Sequence, residues 1–333
     1  MAKPNNMLEP GIHGFRDIIA RALHDPESGY YTANIGTVGR TGDFSTNATL
    51  GVSLGTAISR WAHAQSKHSG IRDLIEIGAG DGSLARTILK QWPGWRKPRY
   101  HIVDTSLTLR QRQKEILGSR VRWHENMRDA LSACDGRAIL FANELVDAFP
   151  PEVLSWDGSI WNECCLEVQS DGLIRETTRL WTPDGKSAGF LEARAWPGGS
   201  IPNGQRVEHL VSFSEWMQEW VSQWRKGAGL WIDYGDVFPT LYHRRPAGTL
   251  RAYWRQERLA GLDVFRRLGS QDITCDVNFT DLAAWCEQCG IVCQPPESQS
   301  EFIRTHHPRV DANDPGMRAG EAFHVLGFRP SGD

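Results

Sequence analysis

The feature that most constrains this chain is Glu76-Ile77-Gly78-Ala79-Gly80-Asp81-Gly82, set between an apolar run at 74–77 and a stretch at 83–91 whose Leu84, Ile88 and Leu89 recur at helical spacing. Glycines let a backbone turn tightly and come close to a ligand without a Cβ clash. A strand that passes through such a turn into a helix is the building unit of a parallel sheet. The pattern continues downstream, with a strand at 100–103 ending at Asp104, a polar helix near 108–117, and strands at 121–124 and 138–142. Strand alternating with helix predicts a doubly wound α/β sheet. An apolar strand at 229–233, a helix at 278–289 and strands near 291–293 and 322–328 would complete that sheet.

The flanking regions read differently. Phe15, Ile18, Ile19, Ala22 and Leu23 fall at helical spacing before His24-Asp25-Pro26, and a second helix carries Leu54, Ile58 and Trp61 on one face. Between 151 and 205, short alternating segments sit among the Asp-Gly pairs 157–158, 171–172 and 184–185, a hairpin signal. Helical periodicity returns at 213–224. The division expected from these changes is an N-terminal helical module (1–70) closing over a ligand site, a first core half (71–150), an inserted β-rich acceptor or partner segment (151–225) and a second core half (226–333).

Composition removes several function classes. The chain has 333 residues, 37 Lys plus Arg and 40 Asp plus Glu, with a net charge of -3 and no block of like charge, so no nucleic-acid partner is expected. No apolar run approaches the roughly 18 residues of a membrane span, and the first residues lack the apolar stretch of a signal peptide. The expected location is the cytoplasm. Seven scattered cysteines suit a reducing compartment. Cys286-x-x-Cys289 with Cys293 has metal-like spacing, but no second pair stands nearby to complete four ligands, and no metal is expected.

The chemistry points elsewhere. The dinucleotide fingerprint is G-x-G-x-x-G, whereas the spacing here is G-x-G-x-G with an acid two residues before the first glycine. A pyrophosphate at that helix end would be repelled by the acid. S-adenosyl-L-methionine instead brings an ammonium and a sulfonium, which Glu76 and Asp81 can attract, and Asp104 at the next strand end can accept hydrogen bonds from ribose hydroxyls. Asn143, Glu144 and Asp147 come directly after the apolar strand at 138–142, where open sheets bind ligands beyond their carboxyl ends. Two carboxylates there can clamp a cation or take a proton. Asp43, ahead of Ser45, Thr46 and Asn47, either belongs to a helix-capping turn or closes over the donor.

Seven motifs carry a family resemblance: His24-Asp25-Pro26-Glu27-Ser28-Gly29-Tyr30-Tyr31, Gly42-Asp43-Phe44-Ser45-Thr46, the 76–84 turn, Asn143-Glu144-x-x-Asp147-Ala148-x-Pro150, Ile232-Asp233-Tyr234-Gly235, Gly248-Thr249-Leu250-Arg251-Ala252-Tyr253 and Asp272-Ile273-Thr274-x-x-Val277-x-Phe279. In this order they resemble the MidA-like family of class I S-adenosyl-L-methionine-dependent methyltransferases, whose mitochondrial members are arginine methyltransferases assisting complex I assembly. The resemblance implies a Rossmann-like methyltransferase sheet with Gly78, Gly80, Gly82 and Asp104 holding the donor. It further implies that Asp43 and Thr46 lie over the donor, and that Asn143, Glu144 and Asp147 border the acceptor. Departures are Asn47-Ala48-Thr49 where the family continues Ser-Pro-Glu, Asn278 in place of Asp, and a Trp-rich insert (156, 161, 181, 196).

The function expected is methyl transfer from S-adenosyl-L-methionine, with S-adenosyl-L-homocysteine as product, to a nitrogen or oxygen nucleophile, which the resemblance implies is an arginine nitrogen of a protein or peptide. The alternatives are a small-molecule N- or O-methyltransferase whose tryptophans stack on an aromatic acceptor, a non-catalytic binding scaffold, and a nicotinamide-dependent oxidoreductase, which the glycine spacing disfavours. A homodimer is one candidate assembly.

Overall fold

The computed structural model describes residues 7–34, 52–183, 196–255 and 257–332. The chain divides into two compact units. One comprises Met1–Ile35, Asp147–Glu215 and Val237–Asp281; the other comprises Gly36–Val146, Trp216–Asp236 and Leu282–Asp333.

The second unit holds the predicted α/β sheet. The main path of its sheet is made of β1 (Asp73–Ile77), β2 (Arg99–Val103), β3 (Val121–His124), β4 (Ile139–Asn143), β5 (Gly229–Asp236), β6 (Ile291–Cys293) and β7 (Phe323–Pro330). They are hydrogen-bonded in the order β3-β2-β1-β4-β5-β7-β6. The β1–β5 neighbours pair in parallel, and β7 runs antiparallel to β5 and β6. All five residues of β1 and of β4 are buried, as strands covered on both faces must be.

The helix Ser53–Ser69 packs Leu54, Ile58 and Trp61 into this unit's core with Leu84, Ile88, Phe141 and Ile232. It ends at Gly70 with φ 73, a left-handed stop that favours glycine. The helix Gln299–His306, absent from the elements that the sequence pattern predicts, is closed by a reciprocal cap of Ser298 and Glu301 and buries Phe302 and Ile303.

The first unit is built from segments distant in sequence, and here the expected division does not match the strand pairing. Gly11–Gly14 lies antiparallel to Trp161–Val168, so the start of the chain is a sheet edge as well as a helix. Glu152–Trp156, Trp161–Val168 and Ile174–Leu180 form the expected hairpins at Asp157-Gly158 and Asp171-Gly172. Asp184-Gly185 lies outside the described residues. Residues 237–281, expected to belong to the core sheet, contribute an antiparallel trio, Glu257–Leu259, Arg251–Trp254 and Asp272–Thr274, to this unit.

The tryptophans of the insert are occupied with one another. Trp161 and Trp196 are buried with Leu154, Val207, Leu241 and Tyr242, and Trp156 and Trp181 pack against them. Ring centroids are 5.4 Å apart for Trp156 and Trp161 and 5.1 Å for Trp196 and Phe238. They build a core, which corrects the expectation that they form stacking walls for a ligand. Asn278 is likewise explained locally. It is buried, accepts the Thr280 N–H at 3.1 Å and donates to Asp281 at 3.0 Å at the start of the helix Phe279–Gln288, as an N-terminal capping residue does.

All seven cysteines are free thiols. Cys286 donates to the Met217 sulfur at 4.0 Å and pairs with Cys293; the hydrogen bond to Cys293 and burial raise the Cys286 pKa, whereas that of Cys293 is lowered. Among the described residues Cys286, Cys289 and Cys293 join no three-ligand group; such a group is formed by Asp73, His101 and Cys134. No helix among the described residues is long and apolar enough to cross a membrane.

Candidate functional site

The chain runs outward from β1 to β2 and β3, then returns to β4 on the other side of β1. That reversal opens a crevice at the carboxyl ends of β1 and β4, where open α/β sheets bind ligands. Gly78, Gly80 and Gly82 come after β1, all left-handed, with φ of 69, 54 and 86. The turn is fixed by the Gly78 N–H donating to Val103 O at 2.9 Å and the Gly82 N–H to Ala79 O at 2.9 Å. Asp81, a candidate partner for the sulfonium, accepts the Ser83 N–H at 2.9 Å just before the adjoining helix. A Cβ built on Gly80 would meet no described atom within 4 Å. Open space above a glycine turn is the room a close-lying ligand needs.

Asp104 stands beside this turn at the end of β2, buried and held at both oxygens. It accepts the Ser106 N–H at 2.9 Å and Gln113 Nε2 at 2.7 Å. Gln113 also donates to the Gly80 carbonyl at 2.9 Å and accepts the Trp123 indole N–H at 3.0 Å. One amide thus ties the glycine turn to the acid after β2. The sequence shows only a polar helix there, because the partners of the buried Gln113 lie outside it, in the glycine turn and at β2 and β3. Burial raises the Asp104 pKa, against the hydrogen bonds that favour its charged form.

Glu76 is buried in β1 and accepts the Tyr100 hydroxyl at 2.7 Å. Burial pushes its carboxyl up to about 8, the Tyr100 bond opposes this, and Asp104 and Asp81 add to it. At neutral pH it is mostly protonated until a cation comes near.

At the end of β4, Asn143 is buried, and its Oδ1 has no hydrogen-bond partner among the described residues. A buried acceptor in this state costs about 1–3 kcal/mol unless a ligand or water supplies a donor. Asn143 Nδ2 donates to Glu144 Oε1 at 3.0 Å, and the Glu144 N–H donates to Ile232 O at 2.9 Å. Glu144 itself has φ 53. A non-glycine residue held left-handed costs about 1–3 kcal/mol, and such strain collects at functional sites. Asp233 in β5 clamps the chain just beyond Glu144, accepting the Val146 N–H at 2.9 Å while fully buried.

Asp147 belongs to the other unit and has its own surroundings there. It is buried, and its Oδ2 accepts the Thr274 hydroxyl at 2.9 Å. Across the paired strands Thr274 faces Arg251, and Asp272 faces Tyr253. Asp272 accepts the Tyr31 hydroxyl at 2.7 Å. Burial, then the charges of Asp272 and Asp147, hold the Tyr31 phenol well above its ordinary pKa. His24 completes the group, its ring 5.8 Å from Tyr31 and its Nε2 3.1 Å from the Ala148 carbonyl oxygen, with its pKa lowered chiefly by burial. Tyr31, Asp272 and Thr274 sit in motifs that the sequence displayed, yet nothing local marked them as one constellation.

Glu76, Gly78, Gly80, Gly82, Asp104, Asn143 and Glu144 therefore lie at or beside strand ends of one unit, and Asp147 in the other. Asp43 and Thr46 lie outside the described residues. Where Asn143 Oδ1 lacks a donor and Gly80 faces open space, the residues fit a ligand with hydroxyl or amine donors, as S-adenosyl-L-methionine has.

Residues 54–297 match a protein family described as "Putative S-adenosyl-L-methionine-dependent methyltransferase". Among curated proteins, the chain is 24% identical over 332 residues to a Drosophila melanogaster protein named "Protein arginine methyltransferase NDUFAF7 homolog, mitochondrial", covering 90% of this chain and 72% of that protein. It is 24% identical to the Caenorhabditis elegans protein of the same name, covering 84% and 69%. Among solved structures, a Burkholderia thailandensis protein bound to S-adenosyl-homocysteine superimposes with a TM-score of 0.82 at 25% identity, covering 97% of this chain and 89% of that one. These findings bear out the MidA-like resemblance, the α/β fold class and the donor.

Proposed function

This chain belongs to the S-adenosyl-L-methionine-dependent methyltransferase family matched by residues 54–297, and from that premise we propose that its methyl acceptor is an arginine guanidinium of a protein or peptide. It is a methyltransferase enzyme whose donor is S-adenosyl-L-methionine and whose product from the donor is S-adenosyl-L-homocysteine. The observation that carries the proposal is Glu144, a carboxylate held in a left-handed conformation directly after β4. The names of the two relatives support arginine as the target.

The donor supplies an electrophilic methyl carbon on a sulfonium. Gly80 leaves room for it in a turn that Gly78 and Gly82 allow, Asp104 accepts its ribose hydroxyls, and Glu76 in its ionised form faces its ammonium; Asp43 and Thr46 cover it, as the family resemblance implies. Methyl transfer to nitrogen needs a nucleophile held in line and stripped of water. Glu144 binds the guanidinium and draws its positive charge to one side, which leaves the opposite nitrogen with an available lone pair. Asn143 orients the Glu144 carboxylate through its 3.0 Å bond. Asp147, fixed by Thr274, serves as the second carboxylate and takes the proton that the methylated nitrogen releases.

The buried packing of Trp161 and Trp196 withdraws the feature that favoured a small aromatic acceptor. The proposed setting is the cytoplasm, supported by seven free cysteines; the two relatives are named mitochondrial. The test is mass spectrometry of protein extracts from matched strains with and without the gene. A methylarginine present in one and absent from the other, and restored by the purified enzyme with the donor, is the expected result. Methyl transfer confined to small molecules would overturn the acceptor assignment and leave the enzyme class intact.

A further inference from the structure

Next to the Thr274–Asp147 pair, the first unit carries a feature that methyl transfer does not use. A cavity of about 520 Å³ is lined by Arg244, Arg245, Arg251 and Arg258, with Tyr253 and Asp276 among the remaining wall residues. Four guanidinium groups face one carboxylate, and that carboxylate is already shared. Asp276 accepts Arg245 at 2.5 Å and Arg251 at 2.6 Å.

Arg251 is the buried anchor. Its other contacts include a 3.1 Å bond to the Thr249 carbonyl oxygen and a 3.1 Å bond in which its Nε donates to the Tyr253 hydroxyl oxygen. Tyr253 thereby accepts with its oxygen and keeps its own proton for another acceptor. Arg244 and Arg258 are exposed and have no ion pair among the described residues. Arg244 is also held left-handed, φ 57, at the cavity rim. Glu208, the other acid of this region, is buried behind the wall and spends one oxygen on the N–H groups of Thr249 and Leu250, at 2.6 and 3.0 Å.

We infer that this cavity is a binding site for a multiply charged oxyanion, a phosphate or dicarboxylate group. Planar guanidinium forks recognise such groups through paired N–H donors. The geometry divides the work. Arg251, fixed by Asp276, is the rigid donor, while the Tyr253 hydroxyl supplies a neutral hydrogen bond. Arg244 and Arg258 close on the ligand from the rim. A monoanion would leave two or more guanidiniums uncompensated, so charge as well as shape selects a dianion. Its lining residues all belong to the first unit, whereas the glycine turn and Glu144 belong to the second, and its occupancy requires no methyl transfer.

The experiment is calorimetric titration of the full-length protein with inorganic phosphate, malonate and acetate at low salt, repeated with the Arg244→Gln/Arg258→Gln double variant. Arg266→Gln, an exposed arginine of the same unit paired with Asp263, is the control. Saturable binding of phosphate or malonate is expected, with acetate at least roughly ten-fold weaker and with affinity falling as salt rises. Phosphate stronger than malonate identifies a phosphate site, and the reverse a dicarboxylate site. The double variant should lose roughly ten-fold or more in affinity while the control keeps the wild-type value and both melt as the wild type does. No saturable dianion binding, equal affinity for acetate, or an unchanged double variant would each overturn the inference.

Discussion

The two units of this protein place their functional residues by different means. In the sheet-bearing unit, Glu76, Gly78, Gly80 and Gly82 lie within one strand–turn–helix segment. Asp104 and Asn143 are each the last or next residue of a neighbouring parallel strand. In the other unit, Tyr31 reaches Asp272 across 241 residues of chain, and Thr274 reaches Asp147 across 127. Parallel β-strands deliver residues to a ligand by topology alone, because every carboxyl end faces the same side. An antiparallel assembly of scattered segments has no such rule, and its site exists only once the tertiary structure does.

The sharpest test of this contrast is at Glu144, which closes the parallel sheet. Glu144→Gln keeps size and most hydrogen bonding but deletes the charge. Turnover is expected to fall by roughly 100-fold or more, with donor affinity within a few-fold of wild type. If the residue merely ended a strand, turnover would be untouched, and steady-state kinetics on the identified acceptor separates the two. The next largest effect belongs to the donor cradle. Asp104→Ala removes a buried acceptor and should cost about 1.5–3 kcal/mol of S-adenosyl-L-homocysteine binding, roughly 10- to 150-fold. Gly80→Val fills the open space above the turn and adds about 1–2 kcal/mol of left-handed strain. Calorimetry that returned wild-type affinity for both would remove the donor site from the glycine turn.

The same contrast explains what could be read from residues alone. The order of β1 to β5 was legible because apolar runs of four or five residues alternate with helical spacing, and Glu76, the glycines and Asp104 sit at the ends of those runs. Gln113 was not legible, since a polar helix residue gives no sign that it will bridge a turn and an acid. The strand Gly11–Gly14 was hidden by its two glycines, which carry no strand preference, and it exists because Trp161–Val168 offers it an edge. The trio around Arg251–Trp254 was hidden by brevity. Its flanking strands have three residues each, too few for an alternation to register.

Glu76 offers a pH test within the legible half. Its carboxyl is raised from 4.5 to about 8 by burial. A raised folded pKa contributes stability that is complete below the unfolded value and is lost as pH rises through the folded one. The ligand-free protein should therefore lose stability between pH 4.5 and 8, on the order of a few kcal/mol, and Glu76→Gln should flatten that loss. Donor binding runs the other way. If the ammonium requires the carboxylate, affinity should rise up to about ten-fold per pH unit as pH approaches 8 from below, with proton release on binding. Calorimetry in buffers of different ionisation heat reads that proton, and its absence would detach Glu76 from the donor.

The smallest effect is expected in the unit that the sequence did not assemble. Thr274→Val deletes the hydroxyl that holds Asp147 Oδ2 and keeps the side chain's shape. The lost hydrogen bond should cost about 1 kcal/mol, which in acceptor binding is roughly a five-fold rise in KM. Donor affinity belongs to the other unit's residues and should not move. Thr274→Ser restores the hydroxyl and should return KM toward wild type, an outcome that a packing defect alone would not produce. Tyr31→Phe probes the neighbouring pair in the same way, since it removes the donor to Asp272 and leaves the ring in place. Two carboxylates on one polar face, each held by one hydroxyl, should respond alike if both serve the acceptor. A rise in KM for Thr274→Val with none for Tyr31→Phe would confine acceptor contact to Asp147, and wild-type KM in both would place the acceptor entirely with Glu144.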